Sequence, residues 1–301
     1  MSSASCSVFG DYSWHMALEH TQVALQLPSG REQAHIWTTG TPSQRQPLLF
    51  IHGFRGDHHG LQFIAENING RQLFIPDLPG FGQTPPLPGK QTLETYTSFV
   101  RGLADWIENQ TGKQPVLVGH SFGSIVAAHT AAEARASRPL VLINPIVSLP
   151  DRGPGRLLTV TVDNYYRIAE AAPEKIGNFL LKNRPTVRLM SEAMATSRDR
   201  DTRRFIHDQH QQHFSSFSDR KSLADAYRVS THHTVREVER QLTMPVLVIS
   251  GRADAIASPR ATRAFVKRLP NVEHHEFPRV GHLVHYERPT ETARLIENWL
   301  D

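Results

Sequence analysis

A serine and an aspartate each follow an apolar stretch of the chain, and a histidine follows a third, strand-like stretch, in the order Ser121, Asp254 and His282. A serine hydroxyl attacks a carbonyl carbon slowly at neutral pH unless a neighbouring base takes its proton and a third group orients that base. Imidazole is the usual base, and a carboxylate that accepts its other N–H fixes the tautomer. The three residues in this order therefore predict nucleophilic catalysis by Ser121, with His282 as general base and Asp254 as the orienting acid.

Ser121 lies in the pentapeptide GHSFG, where the apolar run PVLVG ends and an alanine-rich stretch begins. A plain Gly-Ser turn is the alternative interpretation. A tight strand-to-helix turn admits only small neighbours beside a nucleophile, and Gly119 and Gly123 meet that requirement on either side of His120 and Phe122. The flanking strand and helix favour the nucleophile, and the N–H of Phe122 is predicted as one donor to the oxyanion.

The second oxyanion donor is expected in the loop HGFRGDHHG, which follows the apolar run PLLFI. His52 and Gly53 begin this loop, and the N–H of Phe54 is the natural donor. Arg55 comes next, and it could bind an acidic substrate or pair with Asp57. The ion pair with Asp57 is the favoured interpretation.

Several histidines near the C-terminus compete for the role of base in the stretch VEHHEFPRVGHLVHYERP. His274 and His275 fall inside a predicted strand, and His285 falls at the start of a predicted helix. His282 is the one placed at the exit of the strand, where the loops of an open α/β sheet carry functional groups. This position favours His282 over the others.

The carboxylate candidate also follows a buried strand. Asp254 lies in the loop after PVLVISG and before a predicted helix, where a capping role is the alternative. The other apolar strand that could have supplied an acid, RPLVLINP, ends in Asn144 and Pro145 instead. Asp254 is therefore the predicted partner of His282.

The elements that must position these residues can be predicted from the apolar pattern. PLLFIHG, RQLFIPD, PVLVGHS, RPLVLINP and PVLVISG are short, continuously apolar runs, which is typical of strands buried on both faces. Helical stretches lie between several of them, and one is predicted to stop at Gly112. This alternation predicts an α/β fold with a mostly parallel central sheet and helices on both faces. The earlier segment TQVALQLPSGREQAHIWTT predicts a β-hairpin.

From about residue 149 to residue 242 the chain lacks strands of the buried type, and helical fragments dominate. We expect this segment to be an insertion packed over the sheet. His207, His210 and His213 lie three residues apart within it, which would place them near one face of a helix and permits a metal site. Their charged neighbours favour a solvated surface instead, so no metal is predicted.

Five short motifs, FIHGF, DLPGFGQT, GHSFGS, GRADA and VGHLVHYERP, occur in this order. Together they resemble the α/β-hydrolase fold superfamily, in its esterase, lipase and C–C hydrolase branches. The resemblance runs from about Val23 to the C-terminus outside the insertion. It implies that residues 149–242 form a helical cap (lid) on a core made of residues 1–148 and 243–301. Because the elbow carries serine and not aspartate, the resemblance implies acyl chemistry.

The predicted function is a serine hydrolase that cleaves a small ester or similar carbonyl compound through an acyl-enzyme. Three alternatives stay open: a C–C bond hydrolase of a diketone, an acyltransferase or perhydrolase, and a non-catalytic binding protein on the same fold. Dinucleotide-binding GxGxxG and Walker patterns are absent from the sequence, so no nucleotide cofactor is expected.

Composition limits the other possibilities. The 301 residues carry a formal charge of +4, and the 33 basic residues are mixed with 29 acidic ones, so no nucleic-acid partner is expected. Cys6 is the only cysteine, which fits a reducing compartment. The first residues, MSSASCSVFGDYSWH, lack the pattern of a secretory signal, and no apolar run reaches the ~18 residues of a membrane span. A cytoplasmic location is therefore expected, and the oligomeric state is left open.

Overall fold

The computed structural model of the protein describes residues 18–39, 42–133, 138–149 and 153–301. Cys6 and the N-terminal stretch that bears on a secretory signal lie outside the described residues. The centre of the fold is an eight-stranded sheet with the order β1-β2-β4-β3-β5-β6-β7-β8. The strands are β1 (Glu19–Leu27), β2 (Gly30–Thr39), β3 (Leu48–Ile51), β4 (Leu73–Pro76), β5 (Val116–His120), β6 (Leu140–Ile143), β7 (Val246–Gly251) and β8 (Val272–Phe277).

Strands β3 to β8 run parallel to one another, and β1 and β2 form an antiparallel hairpin at one edge. The hairpin pairs Leu27 with Gly30 at its turn, and Gly30 has a φ of 124°, a conformation that favours glycine. Strand β2 joins the parallel part through antiparallel pairing with β4. The predicted hairpin, the five predicted apolar strands and the mostly parallel sheet are confirmed.

Helices cover both faces of the sheet. The α-helices in the described part of the chain are α1 (His58–Ala65), α2 (Leu93–Thr111), α3 (Phe122–Glu133), α4 (Gly153–Ala171), α5 (Glu174–Lys182), α6 (Arg184–Met194), α7 (Arg200–His213), α8 (Arg220–His232), α9 (Pro259–Val266), α10 (Val284–Glu287) and α11 (Pro289–Leu300). Alternate residues of one strand enter different apolar clusters: Leu48 and Phe50 pack with α1 and α11, whereas Leu49 and Ile51 pack with α2 and α3. Burial on both faces explains why these strands are apolar at every position.

Local signals in the sequence set the ends of the helices. Thr92 and Thr95 form a reciprocal capping box at the start of α2, and Gly112 ends that helix in the left-handed conformation with a φ of 71°. The hydroxyl of Ser258 accepts the N–H of Ala261 at the start of α9. The predicted stop at Gly112 is therefore confirmed.

Helices α4 to α8 and a 3-10 helix (Val235–Gln241) lie between β6 and β7, and we call them the inserted helices. From residue 153 to residue 242 the described chain forms no strand beyond a single bridge that pairs Phe217 with Phe81 of the core. Leu223 and Ala226 share one apolar cluster with the strands, so the inserted helices pack directly on the rest of the chain. Within the described ranges no helix is long and apolar enough to cross a bilayer.

Candidate active site

Ser121 occupies a strained turn between β5 and α3. Its φ is +53°, a region that non-glycine residues seldom adopt, and its N–H donates to Ile143 O at 3.0 Å. The glycines beside it have no room for a side chain. A Cβ on Gly119 would lie 2.4 Å from the carbonyl oxygen of Gly123, and one on Gly123 would lie 2.1 Å from that of Ile51. This crowding explains the Gly-x-Ser-x-Gly spacing.

The structure brings Ser121, His282 and Asp254 together. The Nε2 atom of His282 lies 2.8 Å from Ser121 Oγ, and its Nδ1 atom lies 2.8 Å from Asp254 Oδ2. The other carboxylate oxygen, Asp254 Oδ1, accepts the N–H groups of Ile256 and Ala257, both at 2.8 Å. A chain of hydrogen bonds therefore runs from the carboxylate to the serine hydroxyl.

The Asp254 carboxylate is held in its ionised form. Burial raises the pKa of this group, but the neighbouring His282 and the two backbone N–H groups lower it more, so the net pKa lies below its ordinary value. An ionised carboxylate accepts the Nδ1–H of His282, which leaves the Nε2 lone pair facing the serine.

Asn144 is also part of this site. The sequence indicated only that this strand ends without a carboxylate, and it did not predict a role for the asparagine. Its side-chain amide donates to Asp254 Oδ2 at 2.8 Å and to the carbonyl oxygen of Gly281 at 3.2 Å. Asn144 has a φ of +46° and is fully buried at the carboxyl end of β6. The Asn144 amide therefore connects the loop that carries Asp254 to the loop that carries His282. The feature of the sequence that could have indicated this role is the position of Asn144 directly after an apolar strand.

The two predicted oxyanion donors belong to Phe122, which directly follows Ser121, and to Phe54, which follows Gly53 in the loop that lies against Ser121. Phe122 is the first residue of α3, so its N–H has no partner within the helix. Among the described residues, neither the N–H of Phe122 nor that of Phe54 has a hydrogen-bond acceptor, whereas the nearby N–H of Ser124 donates to Ser121 O at 2.9 Å. Both N–H groups are therefore available to an added oxygen.

Hydrogen bonds hold the loop before Phe54 in place. His52 donates from Nδ1 to Gly53 O at 2.8 Å and accepts the N–H of Leu78 at Nε2 at 2.9 Å. A Cβ on Gly53 would lie 3.0 Å from the ring of His120 and 3.4 Å from Ser121 Cβ, so glycine allows this loop to approach the serine. The predicted supporting residues His52, Gly53 and His120 are thus in mutual contact.

Two buried groups support the loop that carries His282. His120 donates from Nε2 to His282 O at 3.1 Å, and burial, with the adjacent His282, lowers the pKa of His120 to about 3. Glu287 accepts the N–H of Gly281 at 3.1 Å, and burial raises the pKa of this glutamate. His285 packs on His120 with ring centroids 4.2 Å apart.

The predicted ion pair between Arg55 and Asp57 is wrong. Arg55 is only 2% exposed and donates to Phe214 O at 3.1 Å, to Tyr166 Oη at 3.2 Å and to Leu181 O at 2.6 Å. All three acceptors lie on the inserted helices or directly after α7, in the connection between α7 and α8. Asp57 instead caps α1. Packing of the inserted helices over the loop supplies acceptors that the local sequence did not reveal.

The expectation of a solvated histidine face on α7 is also wrong. His207 and His210 are each 3% exposed, and both form hydrogen bonds with the hydroxyl of Ser191, at 2.6 and 2.8 Å. This side of α7 packs on α6 and α10, and not against water. His213 points elsewhere and stacks on His59 with ring centroids 3.8 Å apart, so the three histidines do not converge on one ion.

Aromatic rings cover the approach to Phe54. Its ring contacts Tyr166 and Tyr227, each with centroids 5.8 Å apart, and these two tyrosines stack on each other at 4.2 Å. The same two tyrosines line a cavity of about 320 Å³ whose other walls are Asp163, Arg167, Ala224, Arg228 and His232. The tyrosine pair therefore contacts both this cavity and the ring of Phe54, and Ser121 is not among the residues that line the cavity.

Comparison with known proteins gives relatives of moderate identity. The bifunctional biotin biosynthesis protein BioHC of Teredinibacter turnerae is 24% identical over 289 residues, which are 87% of this chain and 46% of that protein. A pimeloyl-[acyl-carrier protein] methyl ester esterase of Legionella pneumophila is 25% identical over 80% of this chain and 89% of its own length. The chain spans about half or less of the length of several curated relatives.

Solved structures and a family profile complete the comparison. A thermophilic esterase from Thermogutta terrifontis has a TM-score of 0.74 and 24% identity, with 93% of this chain and 98% of that chain covered, which shows a shared fold. The profile of the Alpha/beta hydrolase family matches residues 48–295. The matched residues include Ser121, His282 and Asp254. They also include the residues described above as surrounding and supporting these three: His52, Gly53, Phe54, Gly119, His120, Phe122, Gly123, Asn144 and Glu287. The chain therefore belongs to the alpha/beta hydrolase family.

Proposed function

We propose that the protein hydrolyses an ester, or a similar carbonyl compound, through an acyl-enzyme on Ser121. The observation that carries this proposal is the 2.8 Å contact between Ser121 Oγ and His282 Nε2. A serine in a strained turn, with a base at hydrogen-bond distance and a buried carboxylate behind that base, has the arrangement that nucleophilic acyl transfer requires.

The reaction would proceed in two halves. His282 Nε2 takes the proton of Ser121 as Oγ attacks the carbonyl carbon, and the N–H groups of Phe54 and Phe122 bind the oxyanion. His282 then gives its proton to the leaving group, which departs and leaves the acyl-enzyme. Water attacks the acyl carbon as His282 takes its proton. The second oxyanion then collapses, the bond to Ser121 Oγ breaks, and His282 returns the proton to Oγ, which releases the acid and the free serine. Asp254 stays ionised and stabilises the imidazolium in both halves.

We also propose that residues 149–242 act as a cap over a core made of residues 1–148 and 243–301. Two contacts support this division. Arg55, one residue after the oxyanion donor Phe54, is bound by the inserted helices. The stacked tyrosines of α4 and α8, Tyr166 and Tyr227, cover the ring of Phe54. A substrate would enter by displacing these rings.

A fluorophosphonate probe tests the nucleophile, because it labels a serine only where a base activates the hydroxyl. The wild-type protein should be labelled, and Ser121→Ala should not. Ser29→Ala, in the exposed turn of the hairpin, is the matched control and should be labelled as the wild type is. Labelling of Ser121→Ala at the rate of the wild type would exclude Ser121 as the nucleophile.

A substrate panel tests the bond that is cleaved. Esters of p-nitrophenol with acyl chains of increasing length would be assayed beside a set of diketones and an acyl-acceptor alcohol. The ester class is supported by the relatives that are named as esterases. Hydrolysis of esters with a burst of p-nitrophenol would support the acyl-enzyme. Cleavage of the diketones alone would replace this proposal with C–C bond hydrolysis.

A further inference from the structure

Three potential metal ligands meet where the core contacts the inserted helices. Asp57, His59 and His213 each offer one ligand atom, and these atoms all lie within 4.8 Å of one another. Asp57 and His59 belong to the loop and first turn after β3, and His213 is the last residue of α7. The cluster is separate from the site of Ser121 and does not take part in the hydrolysis proposed above.

The positions of the ligand atoms are close to those that a tetrahedral ion requires. Asp57 Oδ1 lies 3.0 Å from His59 Nδ1, and Asp57 Oδ2 lies 3.9 Å from His213 Nδ1. Around an ion with ligands at about 2.0–2.1 Å, tetrahedral ligand atoms are about 3.3 Å apart. The two observed distances, each measured from a different oxygen of Asp57, lie on either side of this value, and all three ligand atoms lie within 4.8 Å of one another.

Hydrogen bonding alone accounts for only part of this arrangement. Asp57 Oδ1 accepts both the backbone N–H of His59, as a helix cap, and the Nδ1–H of His59, each at 3.0 Å. The second oxygen is too far from His213 Nδ1 for a hydrogen bond, yet the ring of His213 stacks on that of His59 with centroids 3.8 Å apart. The lone pair of an imidazole nitrogen lies in the plane of its ring, so the two stacked rings would turn apart when their nitrogen atoms bind one ion.

The cluster is also suited to ion entry. The side chain of Asp57 is 3% exposed, whereas those of His59 and His213 are 34% and 22% exposed. A buried carboxylate with two accessible imidazoles combines a charged ligand with a path from solvent. Two nitrogen ligands and one oxygen ligand, with one position left for water, form a set that Zn²⁺ accepts.

We propose that Asp57, His59 and His213 bind a divalent transition-metal ion of the Zn²⁺ type, and that this ion fastens α7 to the loop that carries Phe54. Asp57 is three residues from Phe54, and His213 directly precedes the residue whose carbonyl holds Arg55. An ion here would therefore stabilise the closed position of the inserted helices without contacting the reacting groups.

Isothermal titration of the full-length, metal-free protein with Zn²⁺ at about pH 7.5 tests this proposal, since most imidazoles are neutral there. We expect one Zn²⁺ per chain. Replacing a ligand should weaken binding by at least about tenfold, because loss of even an outer partner of a metal ligand costs 10–100-fold. The variants are His213→Gln and His59→Gln, and Co²⁺ provides a second probe through its visible absorption.

His233→Ala is the matched control, because His233 forms a similar pair with Glu237, at 3.0 Å, elsewhere on the inserted helices. It should bind Zn²⁺ as the wild type does, and circular dichroism should show that each variant is folded. Saturable binding that both glutamine variants lose and His233→Ala keeps would support the site. Failure of the wild type to bind Zn²⁺ saturably, or unchanged binding in His213→Gln and His59→Gln, would overturn it.

Discussion

Acid should destabilise the folded protein, because three histidines are buried in and behind the loop of His282. His120, His210 and His285 are 5%, 3% and 5% exposed. Burial is the largest cause that lowers their pKa values, to about 3 for His120 and His210 and well below the ordinary value for His285. Neighbouring imidazoles lower these pKa values further, since each positive charge disfavours the next.

The sign and size of the effect follow from proton linkage. An imidazole in the unfolded chain takes up a proton as the pH falls through about 6.5, whereas these three stay neutral while the protein is folded. Their contribution is therefore complete above about pH 7 and is lost as the pH falls toward the folded pKa. At about pH 5.5, one pH unit below the ordinary imidazole pKa of about 6.5, each histidine that stays neutral in the folded protein favours unfolding by roughly 1 kcal/mol. The three together give on the order of 3–4 kcal/mol, a large part of a typical unfolding free energy of about 5–15 kcal/mol.

Urea unfolding at about pH 7.5 and about pH 5.5, followed by circular dichroism, measures this loss. His285→Met removes one of the three imidazoles. Because His285 Nδ1 has no hydrogen-bond partner, replacing it with an apolar side chain leaves no partner of that atom without its hydrogen bond. The loss of unfolding free energy between the two pH values should be smaller by roughly 1 kcal/mol in this variant. His232→Gln, at an exposed position, should lose as much as the wild type. An equal loss in His285→Met and the wild type would refute the reasoning.

Three further predictions concern the site. Asp254→Asn should lower kcat by about 10⁴ in an ester assay, because an amide favours the wrong tautomer of the histidine; a fall of less than about tenfold would exclude the orienting role. Glu287→Ala should lower the free energy of unfolding in urea by about 1–3 kcal/mol, since the buried N–H of Gly281 loses its acceptor, and Glu287→Gln should lose less because its amide oxygen still accepts. Tyr227→Ala should raise kcat/KM for long-chain relative to short-chain esters by about tenfold, whereas Tyr227→Phe should leave the ratio unchanged; an unaltered ratio in the alanine variant would show that the ring does not limit access.

Much of the fold could be predicted because burial leaves a direct mark on composition. A strand covered on both faces must be apolar at every position, which is why PLLFI and PVLVG were recognisable as β3 and β5. The end of α2 at Gly112 was predictable for a local reason, since a left-handed residue there is best supplied by glycine.

The site was predictable only where a residue type and a strand end coincide. Ser121, Asp254 and His282 each follow a strand, so their order and type pointed to one edge of the sheet. Asn144 also follows a strand, but its amide matters only because β6 and β7 are neighbours, so that it reaches Asp254. Adjacency of strands is a property of the sheet order, which a single strand does not encode.

The inserted helices were the least predictable part of the protein. Their polar composition suggested solvent exposure, yet His207 and His210 are buried against α6 and α10. The predicted partner of Arg55 was likewise a residue close in sequence, Asp57, whereas its three hydrogen-bond acceptors lie more than a hundred residues away. Which face of a polar helix is covered depends on how it docks, and tertiary packing overrides the local pattern.

The hydrogen bonds of Arg55 link the position of the inserted helices, which controls access of the substrate, to the backbone beside Phe54. If the inserted helices moved away from the core, the buried guanidinium of Arg55 would lose all three of its hydrogen-bond acceptors. The backbone next to Phe54 would then be held less firmly. With the inserted helices moved away, the protein would therefore be a poor catalyst. Ser121 would react efficiently only after these helices bind Arg55 again. The rate of turnover would then depend on how often the inserted helices return to the position in which they bind Arg55.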